Sequence, residues 1–245
     1  MRGRNDVEAE LTALVRRYPL PDAAADRLSQ LLALLADDPH APTAIREPVK
    51  IVTHHLADSL VALELPVVGA ARAIVDIGSG AGLPGLALAI ALPDADVVLL
   101  EANRRKCAFI TKSIEVLQLA NATAMYARAE SWKEGLGKFD LATARAVGPL
   151  TLIEEYAAPL LRVGGWLVAW KGRRDRTEEA AAALAALELG LEPTDPIGVQ
   201  PYSGAEHRHL HVLAKVRATP SRFPRRPGAA QKRPLGALPR KLPAG

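Results

Sequence analysis

The twelve residues Ile74-Val-Asp-Ile-Gly-Ser-Gly-Ala-Gly-Leu-Pro-Gly85 constrain this chain more than any others. A β-branched run leads into an acid and glycines at 78, 80, 82 and 85, followed by a helix-forming stretch. Glycines at that spacing allow positive φ values and close approach of a ligand to bare backbone, and a helix opening near Pro84 would direct free N–H groups at it. The succession predicts a nucleotide-type cofactor loop.

Its flanks set the architecture. Beyond residue 72 strand and helix signatures alternate: strands at 72–77, 96–101, 122–127, 139–144 and 165–171, with helices at 84–92, 103–118, 149–161 and 175–189. Such alternation predicts an α/β fold with a mostly parallel sheet covered on both faces. Arg208 to Val216 follows prolines 193, 196 and 201 and glycines 198 and 204, which read as turns, so it is expected as an antiparallel edge strand. Upstream, leucines and alanines recur at helical spacing from Asp6 to Ala36, broken at Pro19-Leu-Pro21, where Asp22 is placed to cap the second helix. A third helix, Val49 to Glu64, carries His54, His55, Asp58 and Ser59. The expected division is 1–66 as an N-terminal helical extension, 67–216 as the α/β domain and 217–245 as a basic tail.

At 245 residues and 49% hydrophobic content, the chain can bury one substantial core. It has no apolar stretch long enough to span a bilayer and no secretory signal pattern, so no membrane partner and a cytoplasmic location are expected. The single cysteine, Cys107, makes neither an internal disulfide nor a cysteine metal cluster, and no metal is expected. The net charge of +4 is uneven: residues 217–245 hold eight lysines and arginines, no acid and six prolines. That composition predicts a disordered segment, either an arm that neutralises nucleic-acid phosphates or a solubilising extension.

Two cofactors compete for the glycine loop. Gly80-Ala-Gly82-Leu-Pro-Gly85 matches a dinucleotide fingerprint, with Glu101 near the distance of its ribose-binding acid, which would make a nicotinamide-dependent oxidoreductase. Asp76-Ile-Gly78-Ser-Gly80-Ala-Gly82 with Glu101 ending the next strand instead matches an S-adenosylmethionine site. Asp76 favours the second, because a carboxylate there repels a pyrophosphate and suits a cationic sulfonium and ammonium. A protein that binds RNA or the ribosome without catalysis is the non-enzymatic alternative, disfavoured by the intact glycines and both acids.

Ligands in such sheets bind beyond the carboxyl ends of the strands. There Ala129-Glu130 would flank the adenine, Arg145 would sit where donor and acceptor meet, and Lys171-Gly172 would face the same crevice. One of the paired histidines, with Asp58 and Ser59, would wall the substrate cleft, and Trp132, Trp166 and Trp170 are expected to fill the core. No cysteine stands where pyrimidine carbon methylation needs a nucleophile. The turn Thr143-Ala-Arg-Ala146 also lacks the Asn/Asp-Pro-Pro-aromatic pattern of exocyclic-amine enzymes. A ring nitrogen with an exposed lone pair, such as guanine N7, needs no base, only alignment and exclusion of water.

With these features, Thr43-Ala-Ile-Arg-Glu-Pro48, His55-Leu-Ala-Asp-Ser59, Val75 to Gly85, Ala144-Arg-Ala146, Trp170-Lys-Gly172 and Arg208-His-Leu210 together resemble the RsmG (glucose-inhibited division protein B) family. The resemblance spans about Thr43 to Val216. It implies a class I S-adenosylmethionine-dependent methyltransferase fold and methylation of guanine N7 at position 527 of 16S ribosomal RNA, so that this RNA or the small ribosomal subunit is the expected partner. It also implies a donor site at Gly78, Leu83, Ala129-Glu130 and Arg145. With the acids and glycines above, the expected cofactor residues are Asp76, Gly78, Gly80, Gly82, Leu83, Glu101, Ala129, Glu130 and Arg145, with Arg145 as the candidate catalytic residue. His55, Asp58, Ser59, Lys171 and Arg208 are the candidate substrate residues. The chain departs from the family in having His40-Ala-Pro42 where an aromatic-Asn-Leu precedes the Thr-Ala-Ile-Arg run, and in its basic tail.

Overall fold

A computed structural model describes residues 2–236. Two helices open the chain, α1 (Arg2–Arg17) and α2 (Ala24–Asp37). Leu28, Leu31 and Leu35 of α2 recur on one face and are fully buried. Asp22 does not cap this helix: the N-cap is Ala23, without a side-chain cap, and the Ala24 amide is taken by the Pro21 carbonyl at 2.9 Å. The proline-rich corner supplies an acceptor before the aspartate can.

The expected third helix is helical throughout but irregular, with α3 (Pro48–Ile51), a π-helical turn (Val52–Ala57), α4 (Asp58–Leu60) and a 3₁₀ turn (Val61–Glu64). An extra residue per turn rotates the helix face, so Leu56 to Leu60 are all buried. After α5 (Pro66–Gly69) the α/β pattern begins. The elements are β1 (Ala73–Ile77), α6 (Gly85–Ala91), β2 (Asp96–Glu101), α7 (Arg104–Leu117), β3 (Ala122–Tyr126), β4 (Phe139–Arg145), α8 (Leu150–Ala157), β5 (Leu161–Lys171), α9 (Arg176–Leu189), β6 (Leu191–Pro193), β7 (Ile197–Val199) and β8 (Arg208–Lys215). Strand order is β3-β2-β1-β4-β5-β8-β6, with β1 to β5 parallel. Strand β8 is antiparallel to β5, as expected, but it is not an edge, because β6 and β7 both pair along its outer side. Each has three residues, too few for an alternation to stand out from turn residues.

One face of the sheet packs against α6, α7 and the N-terminal helices, so that Leu14, Leu28 and Leu56 share a cluster with Ile74 and Leu88. The other face packs against α8 and α9. Into this second cluster fall Phe223 and Ala230, the latter in a short helix α10 (Ala229–Lys232). Residues 217–236 are therefore not the disordered arm their composition predicts. Arg225 makes a bidentate pair with buried Glu155 of α8, Nε to Oε1 at 2.6 Å, and Arg222 pairs with Glu188 of α9 at 2.9 Å. One buried aromatic and two ion pairs to the body outweigh the prolines. The tail's remaining prediction, for 237–245, lies outside the described residues. Among the described residues no helix is long and apolar enough to cross a membrane.

Helix α8 carries a second buried acid. Glu154 is 1% exposed, its Oε2 has no partner among the described residues, and burial, with nearby Glu178, pushes its carboxyl up to about 9. The folded state thus keeps a proton that the unfolded chain, titrating near 4.5, has lost. Stability falls as pH rises through that window. Glu154→Met is expected to melt several degrees above the wild type at pH 8, with the gap closing toward pH 4; a pH-independent gap in melting curves would refute this account.

Candidate active site

The glycine loop leaves β1 with Gly78, Gly80 and Gly82 at φ +66°, +58° and +82°. A Cβ on Gly82 would lie 2.3 Å from Leu86 Cδ1, and one on Gly78 would lie 3.0 Å from Val147 Cγ2, whereas one on Gly80 would meet only the Gly78 carbonyl oxygen, at 3.8 Å, an ordinary contact. Gly80 is thus the position where the loop can receive a ligand against its backbone. Its amide donates to Glu101 Oε2 at 3.0 Å, and Glu101 Oε1 accepts from Asn103 N at 2.7 Å. The acid ending β2 therefore ties the loop to the start of α7.

Asp76 is placed differently from expectation. It is fully buried, with Oδ2 accepting from Gly85 N at 3.1 Å and Oδ1 from the Thr143 hydroxyl at 2.9 Å. Burial pushes its carboxyl up to about 6. The carboxylate braces the loop from beneath, with both oxygens engaged by the protein. The helix amides are also not free: Gly85 N goes to Asp76, Leu86 N to Gly82 O at 2.7 Å, and Leu83 N to Ser79 O at 3.0 Å. Gly78 and Ser79 amides both go to Leu100 O, and Gly82 N to Ser79 O. A pyrophosphate would find these donors consumed, so the loop fits a phosphate-free cofactor for a reason other than Asp76.

Leu83 and Ala129 are buried beside the loop's strands. Glu130 turns away: its Oε1 accepts from Gly228 N at 3.1 Å, so only its backbone remains for an adenine.

Beyond β4 and β5 the candidate substrate residues converge. Asp58, Arg145, Gly148, Trp170, Lys171 and Arg208 line a cavity of about 240 Å³. Arg145 donates through Nη1 to Asp58 Oδ2 at 2.9 Å, with the His55 carbonyl at 3.4 Å. Ala146, next along, has φ +57°, unusual for a residue with a Cβ, and turns the chain out of β4 beside the loop. Lys171 Nζ contacts Gly148 O at 3.2 Å and Glu178 Oε1 at 2.7 Å. Two candidates do not reach the cleft. Ser59 is fully buried and donates to the His55 carbonyl at 2.6 Å, four residues back in its own helix. The His55 ring lies against the Thr43 hydroxyl at 2.7 Å, and burial, aided by Arg145, lowers its pKa to about 4, so it is neutral.

Sequence reasoning missed three contributors. The Trp170 indole donates to the Asp58 carbonyl at 2.6 Å, which gives this tryptophan a role beyond filling the core. Glu178 of α9 holds both Lys171 and the Leu150 amide at 2.7 Å, a contact between distant segments with no local signature. A larger cavity of about 840 Å³ is lined by Asp38, His40 and Pro42 and by Arg105, Lys106 and Lys112 of α7, and Lys112 Nζ bridges the two segments by donating to Asp38 Oδ2 at 2.7 Å.

A family model described as rRNA small subunit methyltransferase G matches residues 24–195. The chain belongs to this family. Curated rRNA small subunit methyltransferase G relatives include one from Chloroflexus aggregans, 43% identical over 79% of this chain and 82% of its own. One from Caldanaerobacter subterraneus subsp. tengcongensis is 40% identical over the same shares. The family's fold is that of the class I methyltransferases. Aeropyrum pernix fibrillarin, solved with S-adenosyl-L-methionine, superposes with TM-score 0.51 at 18% identity, over 64% of this chain and 72% of its own. The mitomycin 7-O-methyltransferase MmcR gives 0.56 at 16% identity, over 87% and 68%.

Proposed function

We propose that this enzyme transfers the methyl group of S-adenosylmethionine to N7 of a guanine in small-subunit ribosomal RNA, free or assembled in the subunit. The observation that carries this reading, within the family assignment, is the contact of the glycine loop with the turn after β4: Gly78 abuts Val147, two residues past Arg145. A donor on the loop and an acceptor in the Asp58–Arg145 cleft would therefore meet. Gly80 and Glu101 would hold the cofactor's ribose side, and the backbone at Ala129-Glu130 its adenine. When bound, that cofactor supplies an activated methyl group.

The chain's own task is orientation. Guanine N7 has a lone pair and no proton to lose, so a general base is unnecessary, which suits a cleft that the His55 ring, neutral and bonded to Thr43, does not reach. Arg145, fixed by Asp58, sets the wall against which the base is aligned. Cations at 145, 171 and 208 favour an RNA strand at the mouth. Incubation with labelled S-adenosylmethionine and unmodified small subunits, followed by nucleoside mass spectrometry, is expected to yield 7-methylguanosine; no label transfer, or label on another nucleoside, would overturn the proposal.

A further inference from the structure

Asp58 has acceptor capacity that the fold leaves unused. Its Oδ2 is bonded to Arg145, while Arg208 Nε stands 3.8 Å from Oδ1, beyond hydrogen-bond reach. Its backbone is pinned at both ends: the carbonyl accepts the Trp170 indole at 2.6 Å and the amide is bonded within the helix. The carboxylate is thus held beside a guanidinium and set in the lining of the cleft.

Resting on the function proposed above, we infer that Asp58 reads the target guanine by accepting hydrogen bonds from N1–H and the N2 amino group. Guanine presents these two donors side by side, matching the spacing of a carboxylate, with Oδ1 open to one of them and the second lone pair of Oδ2, beside its bond to Arg145, to the other. Adenine presents a lone pair at N1, which the carboxylate repels. N7 lies on the opposite edge of the base, so a grip on N1 and N2 leaves the methyl acceptor free. Methylation also places a fixed positive charge on the purine, which makes N1–H and N2–H stronger donors. The contact therefore strengthens as charge develops, and it acts on the transition state more than on the bound substrate. It further balances a cleft in which Arg145 and Arg208 would otherwise oppose a cationic product, Lys171 being already paired with Glu178. The same grip requires the target base to be unpaired.

The test compares small-subunit RNA bearing guanosine or inosine at the methylated position, since inosine keeps N1–H, O6 and N7 and lacks only the N2 amino group. The wild type is expected to favour guanosine by about tenfold or more in kcat/KM, the size of one hydrogen bond to a charged acceptor. In Asp58→Ala that preference is expected to fall to within about twofold; Asp58→Asn, nearly isosteric, is used if the alanine variant melts early. Where turnover is too slow, the ratio is read from single-turnover rates of methyl transfer with enzyme in excess. A wild type indifferent to inosine, or a variant with the wild-type ratio, overturns the inference. A wild type that methylates neither RNA overturns the function itself and is thereby told apart.

Discussion

Arg145→Ala is expected to lower methyl transfer at least about a hundredfold, the scale of loss when a reacting pair is held about 1 Å out of line. Among the described residues Arg145 is the one cation hydrogen-bonded to Asp58, and its side chain is 14% exposed in the angle between β4 and the π-helical turn. Without it, Asp58 keeps only Arg208 at 3.8 Å, and the cleft wall can shift. The fold should survive, because Trp170 still anchors the Asp58 backbone from β5. Unchanged far-ultraviolet circular dichroism with a collapsed rate of labelled methyl transfer is the predicted pair of readings; activity within threefold of the wild type would remove Arg145 from the mechanism. Arg145→Lys should recover only a minor part, since an ammonium cannot reproduce the planar fork.

Truncation after Val216 has the other large effect, and it falls on stability first. Composition alone casts residues 217–245 as an RNA-binding arm whose removal weakens affinity and flattens its salt dependence. The structure instead places Phe223 in the core and pairs Arg225 with Glu155, which is 1% exposed. Deletion opens the Phe223 site and leaves a buried acid unpaired, a loss on the order of 4 kcal/mol. For a chain of this size that corresponds to roughly 10 °C in melting temperature. Because Gly228 N also holds Glu130, beside the proposed adenine position, affinity for S-adenosylmethionine should fall with it, measurable by calorimetry below the melting point. A truncated chain that melts with the wild type would show the segment to be dispensable.

The glycine loop illustrates what spacing can and cannot convey. Positive φ at Gly78, Gly80 and Gly82 follows from residue type, because each turn is local. The partners of Asp76 do not: Gly85 is nine residues on and Thr143 is sixty-seven, and only sheet pairing of β1 with β4 brings the latter within 2.9 Å. An acid after a strand reads the same whether it faces a ligand or the core. Ser59 and Glu130 follow that rule, one bonded back into its own helix and the other drawn to the C-terminal segment. Asp58, Arg145, Lys171 and Arg208 could each be singled out by position at a strand or helix end, yet their assembly in one cleft depends on four separate elements.

Residue order alone determined what local chemistry controls: alternating strands and helices, the glycine turn, and the run of motifs that places the chain in its family. The tertiary structure decided what burial and distant pairing control. It turned Asp76 inward, placed two short strands outside β8, bound the basic segment to α8 and α9, and left one oxygen of Asp58 without a hydrogen bond among the described residues. The division is physical, because backbone propensity acts over a few residues, while the partner that satisfies a buried charge can come from anywhere in the chain.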